Sequence, residues 1–228
     1  MHRARLRRAA ALAAPLLAAC ASPLPEYARP VAEYRGAPPS QDADMIPYRA
    51  VERGDFLSPT PPPHLAAVAD KLCAATCAQI VLDDVPVTIT ALAPGGSQFE
   101  ARPDRIHFRA LMDRRCSWWR EGPCAQPAEY VLQHEQIHFA LVELEARRLN
   151  LRSDELADRV QARGRSPEEA SARSREQLEA VLRDSSGTIL EGHTRFDEDT
   201  SLGYRPERQQ DWYERTMREL AEAAAGAS

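Results

Sequence analysis

His134-Glu135-Gln136-Ile137-His138 sets two imidazoles four residues apart with a carboxylate next to the first. On a helix, positions i and i+4 lie one above the other, so both rings can reach a single ion. This is the HExxH pattern of the zincins. In it a zinc ion polarises a bound water, and the glutamate between the histidines takes the water's proton as general base. The chemistry implied is peptide-bond hydrolysis, with Glu135 catalytic and His134 and His138 as metal ligands. The plainer alternative is a pair of hydrogen-bonded core histidines.

The flanking sequence places the pattern in the middle of a helix. Pro127 suits a first helical turn, Glu129 complements the positive helix end, and residues 128–149 contain neither glycine nor proline. Val131, Leu132, Ile137, Leu141, Leu144 and Leu149 supply enough apolar surface for a helix packed in a core.

Catalytic zinc takes three protein ligands and keeps a position for water. Metzincins place a third histidine six residues past the second, where this chain has Leu144. Glu143 lies about 140° round the helix from His138, and Glu145, on the right face, is two turns away along the axis. The third ligand should therefore come from another helix. Ser166-Pro167-Glu168-Glu169 has the form of a capping box and opens a helix running toward Thr200. On it Leu178, Leu182, Ile189, His193 and Phe196 follow helical spacing, with Asp197 one turn beyond His193. Either His193 or Asp197 could complete the site while the other orients a ligand from behind.

Ahead of the helical half, residues 80–82, 85–92 and 105–111 are short, β-branched or alternating runs divided by turn signals, and read as strands of a small sheet. Residues 64–78 read as a helix carrying Cys73 and Cys77 on one face, and Pro206 could open a last helix. The expected fold class is α+β, with one domain over residues 45–228. A sheet edge near the active-site helix would suit binding of an extended peptide by strand addition.

Residues 1–19 carry four arginines, an Ala/Leu-rich stretch and small residues before Cys20, which resembles a bacterial lipoprotein signal. Cys20 would then be the lipidated residue, and the proline-rich residues 20–44 a tether to the membrane. Without the signal the formal charge falls from −5 to −9, with acids interspersed among arginines, which argues against a nucleic-acid partner. Cys73, Cys77, Cys116 and Cys124 remain, and in an oxidising compartment disulfides are the default. Three connectivities are open; Cys116 and Cys124 bracket a short loop that could close on itself.

His134-Glu135-Gln136-Ile137-His138-Phe139, the acidic and Ala-Arg-Arg-Leu stretch after it, Phe196-Asp197-x-x-Thr200 and Gln209-x-x-Trp212 resemble the bacterial predicted secreted zinc-dependent proteases, a domain family of unknown function. That family's pattern follows HExxH with aromatic-Asp-x-x-Thr-x-His-Gly and then Gln-x-x-Trp. Asp197, Thr200, Gly203, Gln209 and Trp212 match it, while Leu202 stands in place of its histidine. The resemblance covers roughly residues 118–220 and implies Asp197 as the third ligand, similar to aspzincins. Thr200, Gln209 and Trp212 also have a structural reading, because a buried Trp and its polar neighbours commonly hold helices together. Tyr204 and Tyr213 could donate to an oxyanion, with nothing to select between them, and His107 reads as structural.

The function expected is that of a lipid-anchored zinc metallopeptidase on the periplasmic face of a cell-envelope membrane, acting on peptides or proteins. The alternative is a non-catalytic envelope lipoprotein with a structural metal site. A carboxylate-bridged di-iron bundle would need a second Glu-x-x-His pair, which no later helix supplies.

Overall fold

A computed structural model describes residues 43–93, 96–122 and 124–225. The expected signal (1–19), Cys20 and nearly all of the tether (20–44) lie outside the described residues. In chain order the elements are β1 (Met45–Pro47), β2 (Ala74–Ala75), β3 (Ala78–Leu82), β4 (Val87–Ala91), β5 (Phe99–Pro103), β6 (Phe108–Asp113), β7 (Trp118–Trp119), α1 (Ala128–Leu151), α2 (Ser153–Arg159), β8 (Ala162–Gly164), α3 (Pro167–Thr200) and α4 (Pro206–Ala225). The class is α+β: small antiparallel sheets followed by four helices.

The strands form three sheets, ordered β1-β6-β3, β2-β7 and β4-β5-β8. The central strand β6 buries Phe108, Ala110, Leu111 and Met112, and the first sheet packs on α1. Val131, Phe139, Ala140, Val142, Leu144, Ala146 and Leu149 of α1 enter the same core, so apolar positions on a period near 3.6 bury this helix among its neighbours. Three polar side chains fasten it. Gln136 accepts from Val51 N at 2.8 Å and donates to Arg49 O at 3.2 Å. Asn150 likewise exchanges two 2.8 Å hydrogen bonds with the backbone of Phe108. Arg147 pairs with the buried Glu143 at 2.8 Å and donates to Leu220 O of α4 at 2.9 Å.

Helix α3 begins as its sequence predicts. Ser166 Oγ accepts from Glu169 N at 3.2 Å, and the Glu169 carboxylate accepts from Arg165 N at 2.7 Å. Gly164 permits the close approach of β8 to this end, since a Cβ there would stand 2.3 Å from Ala170 N.

Residues 64–78 are not a helix. Two 3-10 turns, Pro63–Leu65 and Ala69–Lys71, lead into extended chain from Leu72, and β2 pairs antiparallel with β7. Residues four apart share a face in a strand as well as in a helix, so the Cys73/Cys77 spacing could not discriminate between them. Tertiary pairing decides: Arg120 N donates to Cys73 O at 2.9 Å, and disulfides Cys73–Cys124 and Cys77–Cys116 bind the segment to the β7 region. The short loop between Cys116 and Cys124 is therefore not closed on itself. The expected strands occur with shifted ends, while β5, whose Phe99-Glu100-Ala101-Arg102-Pro103 alternates but is only five residues long and ends in proline, is not among the expected strands.

Two disulfides fit an oxidising, extracytoplasmic compartment, and among the described residues no helix is long and apolar enough to cross a membrane. Each bridge spans a long stretch of sequence, 51 and 39 residues. Replacing Cys73 and Cys124 together by serine should cost about 3–4 kcal/mol of unfolding free energy in urea. A loss below about 1 kcal/mol would show that the bridge does not constrain the fold.

Candidate metal centre

The α1 and α3 helices meet where their side chains converge on one point. His134 and His138 present Nε2 atoms 3.2 Å apart, and Asp197 Oδ1 from α3 stands 3.3 Å from the first and 3.2 Å from the second. Tetrahedral zinc, with bonds of about 2.0–2.1 Å, sets its ligand atoms roughly 3.3 Å apart. The three donors thus match one face of a zinc tetrahedron and form a group able to hold a metal ion. When both Nε2 atoms are unprotonated they have no proton to share with each other or with Asp197, whereas a cation satisfies both lone pairs and the carboxylate together.

Phe196 fixes the approach of the two helices. Fully buried, its ring lies 4.5 Å from His134, 4.9 Å from His138 and 5.4 Å from Trp212 of α4, centroid to centroid. Trp212 in turn donates to Asp199 at 3.0 Å and carries Arg215 over its ring. One apolar residue therefore packs against both histidines from the turn that supplies Asp197.

Gln209 sets the state of His134. The Gln209 amide nitrogen donates to Tyr130 O at 3.0 Å and to Gln133 Oε1 at 2.9 Å, which turns its oxygen toward His134 Nδ1 at 3.1 Å. Facing an acceptor, Nδ1 must carry the proton, leaving the Nε2 lone pair free to bind a cation. Thr200 donates to Phe196 O at 2.8 Å and accepts from Gly203 N at 3.2 Å, closing the end of α3. The chain then turns through left-handed Ser201, Leu202 and Gly203. A Cβ on Gly203 would come within 3.3 Å of His134 Nδ1, so this turn passes directly over the ring. Thr200, Gln209 and Trp212 are thus all structural supports of the site.

The carboxylate and imidazoles tune one another. Burial pushes the Asp197 carboxyl up, but the charge of His138 and the close approach of both imidazoles outweigh it and hold the group well below the usual carboxylate range. Burial lowers His138, yet the Asp197 carboxylate facing it raises the ring on balance. His193, packed 4.8 Å from the His138 ring, is pushed down to about 3 by burial and by its neighbour, and is neutral at pH 7. It stands beside the donor group rather than in it, and Asp197, not His193, joins the two histidines in the group that could hold an ion.

A cleft of about 240 Å³ opens over this group, lined from the helices by His134, Glu135, His138, His193 and Asp197 and from the opposite side by residues of the 3-10 turns and β2. Glu135 is 3% exposed, and its Oε2 is buried with no hydrogen-bond partner. Neither Tyr204 nor Tyr213 lines this cleft, and Tyr204 OH instead donates to Lys71 O at 3.2 Å. His107 Nδ1 lies 2.7 Å from the Asp83 carboxylate, which also pairs with Arg109. Nothing local in the sequence marks the opposite wall, which is mostly apolar apart from His64 and Thr76 and comes from the segment expected to be helical.

No family model matches the chain, and no curated protein or solved structure matches it either. The resemblance to secreted zinc-dependent proteases accordingly stands on its motif residues, of which the fold joins His134, His138 and Asp197 in one zincin-like donor group.

A metal bound here would displace a proton from His138, whose imidazole, despite its burial, is raised by the facing carboxylate, so affinity should rise with pH through the imidazole range and then level off. Gln209→Leu should weaken zinc binding by about 10–100-fold without changing stoichiometry. Competition titrations against a chromophoric chelator at several pH values read both effects; affinity independent of pH between 5 and 8 would contradict this donor set.

Proposed function

We propose that this protein is an exported zinc-dependent metallopeptidase in which Glu135 is the general base. The main support is the placement of Glu135: a buried carboxylate oxygen without a hydrogen-bond partner, in the cleft shared with three metal donors. A buried polar atom left unpaired costs about 1–3 kcal/mol, a loss that a reacting water can recover. Two imidazoles and a carboxylate suit zinc in a catalytic rather than a structural site, since structural sites close with four protein ligands.

Zinc bound there would supply Lewis-acid polarisation of a water and of the substrate carbonyl. His134, His138 and Asp197 would hold it, and Gln209 would keep His134 in its binding tautomer. Glu135 Oε2 accepts the water's proton and later returns it to the leaving amine. Ala74, Ala75 and Thr76 line the opposite side of the cleft. Among the described residues the two-residue β2 pairs only with β7, so its second edge has no strand partner and could take up an extended peptide entering the cleft. Export is supported by the two disulfides, and lipid anchoring at Cys20 to a cell-envelope membrane rests on the signal-like sequence before it.

Glu135→Gln keeps the volume and removes the base. It should retain one zinc per chain while lowering peptide hydrolysis by at least about 100-fold, the scale of a lost general base. Undiminished hydrolysis would contradict the assignment. A non-catalytic envelope protein with a structural metal predicts instead that only His138→Ala matters, through lowered stability.

A further inference from the structure

Beyond the metal donors, the walls of the cleft have a definite chemical character. Leu65, Val68 and Leu72 come from the 3-10 turns and the strand entry, Leu202 from the left-handed turn after α3, and Leu190 from α3 itself. Leu190 is 67% exposed, the most exposed large apolar side chain among the described residues, and it lies one turn before Thr194, which also lines the cleft. Among the described residues, the cleft lining contains no lysine or arginine, and its carboxylates are only Glu135 and Asp197.

Resting on the metallopeptidase reading, we infer that the site is an endopeptidase subsite for a large apolar side chain, presented by an interior segment of an extended polypeptide. Recognition of a free C-terminal carboxylate is best served by the fixed charge of an arginine or lysine, and among the described residues neither lines the cleft, whose remaining basic groups are the imidazoles of His64 and His193 beside the two donor histidines. Recognition of a free N-terminal amine needs a carboxylate to spare, and both of those present are committed to the donor group or the water. What remains is a largely apolar wall from Leu65, Val68, Leu72, Leu190 and Leu202, interrupted by the uncharged hydroxyls of Thr76 and Thr194 and by His64, with β2, which has no strand partner on its second edge, on the far side. The volume, about 240 Å³, lies below the roughly 300–1,000 Å³ of pockets that enclose drug-sized ligands, and takes one side chain with its flanking backbone. Peptidoglycan cross-links, with small side chains and free carboxylates, fit this surface poorly.

The test uses the full disulfide-bonded chain loaded with zinc and a library of peptides acetylated and amidated at their ends, with one randomised interior position. Cleavage is mapped by mass spectrometry, and binding of the same peptides to zinc-loaded Glu135→Gln is measured by fluorescence anisotropy. Leu or Phe at the randomised position should exceed Asp or Gly by at least about tenfold in both readouts, and Leu190→Asp should erase the preference. Cleavage without apolar preference, or only of peptides with a free terminus, overturns the subsite and leaves the peptidase standing. Apolar-selective binding with no cleavage by the native chain supports the subsite and overturns the peptidase. Neither binding nor cleavage overturns both.

Discussion

The packing of Phe196 against both histidines is the contact from which the rest of the site follows. HExxH on an isolated helix offers two imidazoles and nothing to complete them. Once the α3 ring is wedged against His134 and His138, the next residue, Asp197, brings its carboxylate within 3.3 Å of both Nε2 atoms. Trp212 backs Phe196 from α4, so three helices share one aromatic contact. A site held by regular helices, rather than by loops, keeps its donors within the few tenths of an ångström that metal coordination requires.

Burial has opposite consequences for the acids of α1. Glu143 is buried beside Arg147, and although burial raises its carboxyl, the arginine supplies a partner that also ties α1 to α4. Glu135 is buried as well, but its Oε2 has no such partner. A helix that satisfies its buried carboxylate at one place and leaves one open at another concentrates the unsatisfied polarity where a water and a cation would act. The first acid is tied into the packing of α1 on α4; the second keeps an unpartnered oxygen beside the donor group.

The helical half was legible because its signals are local. Pro167 after Ser166, with Glu169 three residues on, marks the start of α3, and the helix ends at Thr200 as its spacing predicts. His134 and His138 needed only a helix through them to be brought together. Asp197 was harder: helical periodicity put His193 and Asp197 on neighbouring turns, and only the actual crossing of α1 and α3 separates donor from neighbour. The 64–78 segment was misread because nothing local states that a disulfide and a β-pairing will hold it extended. That segment forms the far wall of the cleft, so the same misreading hid the apolar surface around Leu65, Val68 and Leu72.

The most direct test of the central claim is the metal-to-protein ratio of the purified, disulfide-bonded chain by elemental mass spectrometry, beside that of Asp197→Ala. The account predicts one tightly held zinc per native chain and its loss in the variant, because two imidazoles alone leave zinc short of a protein ligand. A native chain that holds no metal after reconstitution, or a variant that holds it as firmly as the native chain, would contradict it.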